Sequence, residues 1–301
     1  IPNASYRFSR RYSARYDPSC PVIPVTNASL TIILNQPKNC LNLNPTNLNI
    51  DCVVYIMKVA LIIPSTSKGR TWISIEESYL YENTMNSFLL TYNPEHNYTF
   101  YIGIDKNDPV YDNEVHKEVL RTLCHNAENV DIKFIYMDGI ESGHLTVMWN
   151  RLFESAYNDG CNYFFQCGDD IEFKTKHWVN DCISTLKKSN DVGLTGPINN
   201  NPRILTQSFV SRKHMELFGY YFPSEIINWF CDDWINGVYK EINRFYPLGQ
   251  HLCINMGGNP RYRINNGSFT NQREFDTSIN RMTALYKGSV RRDVKRIKGK
   301  L

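Results

Sequence analysis

The chain has 301 residues, 42% hydrophobic and 13% aromatic, ample for one sizeable core with extensions. It has no run of about 18 apolar residues, so no segment reads as a membrane span. The net charge of +3 conceals an uneven spread. Residues 287–301 hold seven Lys or Arg against one Asp, residues 1–17 hold four Arg against one Asp, and the body between is left at −6. Basic ends on an acidic body argue against a nucleic-acid-binding domain. The ends read as solvated arms that reach phosphate or anionic lipid heads, so membrane contact is expected only through the basic tail or an upstream segment.

Nine cysteines occur and none forms a CxxC pair, which argues against zinc. Cys161, Cys167, Cys182 and Cys253 lie in or near apolar stretches and read as reduced core residues. Cys20, Cys40 and Cys52 flank a loop-rich N-terminal segment, where a disulfide is expected if the chain is secreted. Sequons stand at Asn3, Asn27, Asn97 and Asn266. The chain opens on Ile1, and an upstream anchor or leader is an expectation. With one, the compartment is the secretory-pathway lumen; without one, it is cytoplasmic or viral.

In chain order, residues 1–51 read as an extension or stem with one strand-like run, Ser29 to Leu34. Lys58 to Ile63 has the composition of a buried parallel strand and runs into a polar loop from Pro64 to Gly69. A helix is expected from about Ile73 to Thr91, then a strand from Tyr98 to Ile104 that ends at Asp105. A helix at 113–125 and a strand at 132–137 follow. Leu145, Met148, Trp149, Leu152, Phe153 and Ala156 recur at helical spacing, and Gly160 ends that helix. Tyr163 to Gln166 reads as a buried strand that turns at Gly168 and presents Asp169 and Asp170, with Glu172 behind. An amphipathic helix at 176–188 and a strand at 192–195 complete the alternation. Strand and helix alternating in this way predict an α/β fold with a mostly parallel central sheet flanked by helices.

Beyond residue 200 the pattern loosens. A strand and helix are expected over 209–220, and a helical segment over 225–240 carries a second acidic pair, Asp232 and Asp233. Residues 244–256 read as a strand pair containing His251, followed by Asn-rich loop, a short helix at 278–286 and the basic tail. The domain of interest is therefore residues 52–265, with extensions 1–51 and 266–301.

Paired acids at a strand end place oxygen ligands at the lip of the sheet, where open α/β sheets bind ligands. Oxygen ligands suit a hard divalent ion, Mn²⁺ or Mg²⁺, which keeps positions open for substrate phosphates. The same acids also read as a plain polar turn, and Asp232 and Asp233 as ordinary helix-start acids favoured by the helix dipole. Trp149, Trp178, Trp229 and Trp234 read mostly as core, although Trp229 and Trp234 flank the second pair and are placed to stack on a sugar.

Taken together, VALIIPSTSKGR, YIGIDKNDP, the helix with Asn150 and Arg151, QCGDDIEF, and SRKHMELFGYYF followed by WFCDDW resemble the GT-A-fold glycosyltransferases, over roughly residues 55–256. The chain resembles the collagen-modifying and large-DNA-virus transferases among them. The resemblance implies a Rossmann-like fold and transfer of a sugar from a nucleoside-diphosphate sugar, a UDP-sugar by analogy, to a hydroxyl of a glycan or glycoprotein. It implies Asp170 as the main metal ligand with His251 adding a nitrogen, and Asp169 close to ribose or metal. Pro64, Thr66 and Asp105 are then expected around base and ribose, and Asn150 or Arg151 toward the donor. Asp233, or alternatively Asp232, is expected to take the acceptor proton, with inversion at the anomeric carbon. The departure from the family pattern is Gly168, which occupies the slot of a first Asp. Two rivals share these features: a nucleotidyltransferase making nucleotide sugars, for which PSTSKGR is a thin phosphate loop, and a non-catalytic carbohydrate-binding protein.

Overall fold

The structure is a computed structural model, and it describes residues 56–257 and 267–300. The expected extension 1–51, its strand-like run, Cys20, Cys40 and Cys52, and the sequons at Asn3, Asn27 and Asn266 lie outside those residues.

Eight strands form one sheet: β1 Lys58–Pro64, β2 Asn97–Ile104, β3 Val130–Tyr136, β4 Tyr163–Gln166, β5 Ile171–Phe173, β6 Leu194–Ile198, β7 Ser208–Ser211 and β8 Phe245–Asn255. Their order is β3-β2-β1-β4-β7-β6-β8-β5. The α/β class and the mostly parallel sheet are as the alternation predicts. β1 pairs parallel with β2 and β4, β2 with β3, and β6 with β8, while β7 and β5 run antiparallel to their neighbours. The helices are α1 Asn86–Thr91, α2 Glu114–His125, α3 Leu145–Asn158, α4 Trp178–Lys187, α5 Lys213–Phe218, α6 Cys231–Glu241 and α7 Gln272–Lys298.

The continuous apolar run of β1 is explained by burial on both faces. Val59, Leu61 and Ile63 join one core with Phe88 of α1, Leu120 of α2 and Trp178 of α4. Ala60 and Ile62 point the other way, into a second core with Phe153 of α3, Leu217 of α5, Trp234 of α6 and Val290 of α7. Each fully buried Ile or Leu contributes about 1.5–3 kcal/mol, so this central strand anchors both layers. Cys161, Cys167, Cys182 and Cys253 are buried free thiols, as their apolar surroundings predict.

Four local expectations change. The helix expected over 73–91 is a short 3-10 turn at Ile75–Glu77, a wide π turn at Leu80–Met85, and then α1. The interruption serves the sheet edge. Thr84 Oγ1 accepts the Ile171 N–H at 2.9 Å and Ser87 Oγ accepts the Phe173 N–H at 2.9 Å. Those hydroxyls satisfy the outer edge of β5, a strand too short to show in the sequence pattern. The strand expected at 192–195 is β6, shifted to Leu194–Ile198.

The expected strand pair at 244–256 is one strand, β8. It serves β6 with its first half and β5 with its second. Leu248 stands opposite Pro197 but Leu252 stands opposite Ile198, so Gly249, Gln250 and His251 form a bulge.

The last difference is the C-terminal segment. The short helix and solvated basic arm are instead one 27-residue helix, α7, packed on α6. Asn271 caps it by accepting the Glu274 N–H, and Glu274 accepts from Thr270 in return. Ile297 is fully buried, and Asp293 is 1% exposed, where it accepts the Trp234 indole N–H at 3.1 Å. Asp293→Ala is expected to lower stability by about 1–3 kcal/mol, because the buried indole loses its partner while the half-exposed Arg292 rehydrates. Thermal unfolding of Asp293→Ala against Asp293→Asn, which keeps an acceptor oxygen, measures it.

Candidate active site

The parallel strands all end on one edge. Pro64 closes β1 opposite Gly103 of β2, and Gln166 of β4 lies opposite Ile62. Two cavities open along this edge and share Pro64. The smaller, about 340 Å³, is lined by Pro64, Ser65, Thr66, Lys68, Gly103 and Asp105, among others. The larger, about 750 Å³, is lined by Asp170 and Gly168 from the β4 end, by Trp229 to Asp233 from the start of α6, and by a polar run from the β6–β7 loop.

The smaller cavity is shaped by a buried carboxylate that the sequence reading passed over. Asp108 accepts the Ser67 N–H at 2.8 Å, the Ser67 hydroxyl at 2.6 Å, and the N–H groups of Val110 and Tyr111. It thereby ties the loop after β1 to the loop after β2. Thr66 Oγ1 donates to Asp105 Oδ2 at 3.2 Å across the same junction.

Asp170 is 7% exposed and reaches the floor of the larger cavity. Its surroundings explain Gly168. A Cβ at position 168 would lie 2.6 Å from Asp170 Oδ1, and one at Gly257 would overlap Asp170 Oδ2 outright. Two glycines thus make a backbone cradle around this carboxylate, and a side chain at either position would make it shift. The Met256 N–H also donates to the Asp170 carbonyl at 2.8 Å, which fixes the turn from the β8 side. Gly257→Ala is expected to displace the carboxylate and to weaken divalent-ion and donor binding by at least tenfold, since a displaced ligand atom loses most of its contact. Isothermal titration with Mn²⁺ and UDP checks this.

The residues fit a hard divalent ion held by one carboxylate. Among the described residues no three His, Cys, Asp or Glu side chains stand together as a metal cluster. Mg²⁺ and Mn²⁺ sites of the phosphate-bridging kind need only one or two carboxylates, the rest being supplied by substrate and water. Asp170 is the residue that would hold such an ion.

The second acidic pair lies on the opposite wall. Asp232 and Asp233 occupy the first turn of α6, so they are helix-start acids and cleft residues at once. Burial pushes the Asp232 carboxyl up to about 6, the charge of Asp233 adds to the effect, and the exposed Arg203 opposes it. Burial also raises Asp233, again opposed by Arg203. The segment before α6 is pinned to the start of α3. Thr146 Oγ1 donates to the Ile226 carbonyl at 2.6 Å, and Asn228 Nδ2 donates to the Gly143 carbonyl at 3.2 Å.

Pro64, Thr66, Asp105, Asp170, Asp232 and Asp233 are therefore brought to one continuous edge. Four other predicted residues are not. Asn150 accepts the N–H groups of Tyr221 and Phe222 and donates to the Phe222 carbonyl, so it joins α3 to the loop after α5. Arg151 donates to the carbonyls of Tyr136 and Asp138, both at 2.9 Å, and closes the end of β3. Asp169 is fully buried and lines neither cavity. His251, carried off by the bulge in β8, pairs through Nε2 with Asp181 at 2.7 Å and through Nδ1 with Thr175 at 3.1 Å. The residues missed are polar: Asn200, Asn201, Arg203, Thr206 and Gln207 from the β6–β7 loop, with Asn228 and Asn255. Their only sequence signal is the run INNNPRILTQ, which reads as a plain loop. Of the tryptophans, Trp178 and Trp234 are core, Trp149 is buried but lines the larger cavity, and Trp229 is 37% exposed there.

Fold and site together define an α/β protein with an acid-lined cleft at the carboxyl edge of its parallel strands. No protein-family profile and no curated protein sequence matches the chain. Among solved structures, S. aureus TarS 1–349 in complex with UDP-GlcNAc aligns with a TM-score of 0.48 and 14% identity, over 76% of this chain and 66% of that one. The mannosyltransferase PcManGT from Pyrobaculum calidifontis, in complex with GDP-Man and Mn²⁺, aligns with a TM-score of 0.48 and 10% identity, over 69% and 58%. S. aureus TarS aligns with a TM-score of 0.45 and 14% identity over 65% of this chain, which spans 36% of the length of that protein. Likenesses of this depth leave the assignment of function to the residues of the chain itself.

Proposed function

We propose that this chain is a metal-dependent glycosyltransferase that moves a sugar from a nucleoside-diphosphate sugar, a UDP-sugar first among them, to a hydroxyl of a glycan or glycoprotein. One observation carries the reading: Asp170, at the end of β4, and the pair Asp232 and Asp233, at the start of α6, line one cleft that continues past Pro64 into the Thr66–Asp105 cavity. A nucleoside fits the smaller cavity, with Thr66 and Asp105 offering a hydroxyl and a carboxylate to base and ribose. The diphosphate then lies toward Asp170, and the sugar extends into the larger cavity.

Asp170 would hold a divalent ion, which when bound would supply charge stabilisation to the departing diphosphate. The chain's own groups do the rest. Asp233, with Asp232 beside it, accepts the proton of the attacking hydroxyl. A carboxyl raised toward neutrality is a better base than an ordinary one. Trp229 presents an exposed ring on which the apolar face of an acceptor sugar packs. Attack from the side of α6, with the diphosphate leaving toward β4, inverts the anomeric carbon.

The test is a hydrolysis and transfer screen over UDP-, GDP- and CDP-sugars with and without Mn²⁺. The expected result is metal-dependent release of one nucleotide, with an inverted product anomer by NMR. Absence of release from every donor, with no thermal stabilisation by any nucleotide, would overturn the assignment. A retained anomer would remove Asp233 from the role of base.

A further inference from the structure

The chain enters α6 through a strained residue. Phe230 has φ 72° and ψ 4°, in the left-handed region. A bulky side chain adopts that region rarely, because its Cβ crowds the backbone. No side-chain hydrogen bond caps the helix there. The strain falls between the cleft aromatic Trp229 and the acidic pair, so the direction taken at Phe230 sets where all three point.

What opposes relaxation comes from the other end of the chain. The ring of Tyr286, on α7, lies parallel to that of Phe230, with centroids 5.3 Å apart and planes 9° apart. The two helices are locked beneath this stack. Val290 packs against Gly237, where a Cβ would come within 3.1 Å of it, and Trp234 donates to Asp293. Tyr286 is also within electrostatic reach of the cleft. The charge of Asp233 raises its hydroxyl after burial does, and Arg203 opposes this.

We propose that Tyr286 is a positioning residue for acceptor transfer: its ring holds Phe230 in the left-handed conformation and so aims Asp232, Asp233 and Trp229 into the cleft. The inference rests on the glycosyltransferase reading. It assigns to α7, which lines neither cavity, control of the acceptor side alone. Asp170 and the nucleoside cavity sit at the β1, β2 and β4 ends, on elements other than those that carry the stack.

The experiment compares Tyr286→Ala, Tyr286→Phe, Phe230→Gly and the double variant Tyr286→Ala with Phe230→Gly. The probe acceptor is the 4-nitrophenyl glycoside on which the wild type is fastest, and donor hydrolysis without acceptor is read in parallel. Tyr286→Ala is expected to lower the transfer kcat on the order of 10²-fold, the usual effect of a small misplacement of reacting groups, and to leave donor hydrolysis unchanged. Tyr286→Phe keeps the ring and is expected to match the wild type. Glycine at 230 needs no ring to hold it, so Tyr286→Ala is expected to add nothing in that background. Equal losses in Tyr286→Phe and Tyr286→Ala, equal losses of hydrolysis and transfer, or additive losses in the double variant would each overturn the proposal.

A wild type that hydrolyses no nucleotide sugar defeats the functional reading instead. The brace is then tested by ¹³C-carboxyl titration of the acidic pair. The charged and titratable groups facing that pair are the two acids themselves, Cys231, Arg203, Lys240 and Tyr286. The titration shifts in Tyr286→Ala and not in Tyr286→Phe if the ring sets the pair's position, and an unchanged titration in both would defeat it.

Discussion

Asp170→Asn is expected to lower donor turnover on the order of 10³-fold while leaving the fold intact, as read by nucleotide release with Mn²⁺ and by thermal unfolding. The magnitude follows from the charge stabilisation a bound ion gives a departing diphosphate, several kcal/mol of the barrier. The amide keeps the shape of the carboxylate inside its glycine cradle but removes the charge that grips the ion. Asp170→Glu keeps the charge but carries the carboxylate one methylene further along, and is expected to lower turnover as well. Wild-type turnover in Asp170→Asn would place the leaving-group chemistry elsewhere.

The second large effect is a separation of two activities in the other acidic pair. Asp233→Asn is expected to cut acceptor transfer by about 10²–10⁴-fold, the usual contribution of a general base, with donor hydrolysis much less affected. In the wild type, kcat/KM for transfer is expected to fall as pH drops through about 6, where Asp232 protonates. The two acids titrate as a unit, so this limb belongs to the pair. Asp232→Asn removes the group that titrates near 6 and leaves the limb to Asp233 alone.

The same shift makes a stability statement. The folded-state value of Asp232 lies above its unfolded value, so the folded chain binds more protons between about pH 4 and 6. Stability therefore falls as pH rises through that window, by at most about 3 kcal/mol. Asp232→Asn is expected to raise the unfolding midpoint at pH 8 and to leave it unchanged at pH 3.5.

The sheet and the Asp170 strand end were legible because buried parallel strands write themselves as β-branched runs. β1 is such a run, β2 and β4 are apolar runs rich in Tyr and Phe, and parallel pairing sends their polar ends to one edge. The acidic pair of α6 was legible for the same reason that left it ambiguous, since a helix start favours acids with or without a cleft. His251 was misleading because three extra residues in β8 are silent in a pattern of alternating hydrophobicity, yet they turn the imidazole to Asp181. Asn150 and Arg151 sit on the expected helix, but each spends its hydrogen bonds on backbone carbonyls and amides of neighbouring loops, a contact between distant segments that no local spacing encodes. Asp108 was missed because a buried carboxylate that satisfies five backbone and hydroxyl donors looks, in sequence, like any other turn acid.

The long terminal helix bears on how the protein is handled. Phe230, Trp234 and Gly237 meet it, so a shortened version lacking residues 272–298 would bare that largely aromatic surface to water. Such a fragment would clump during production, and its inactivity would say nothing about catalysis. Domain trimming for crystallisation must therefore spare this end.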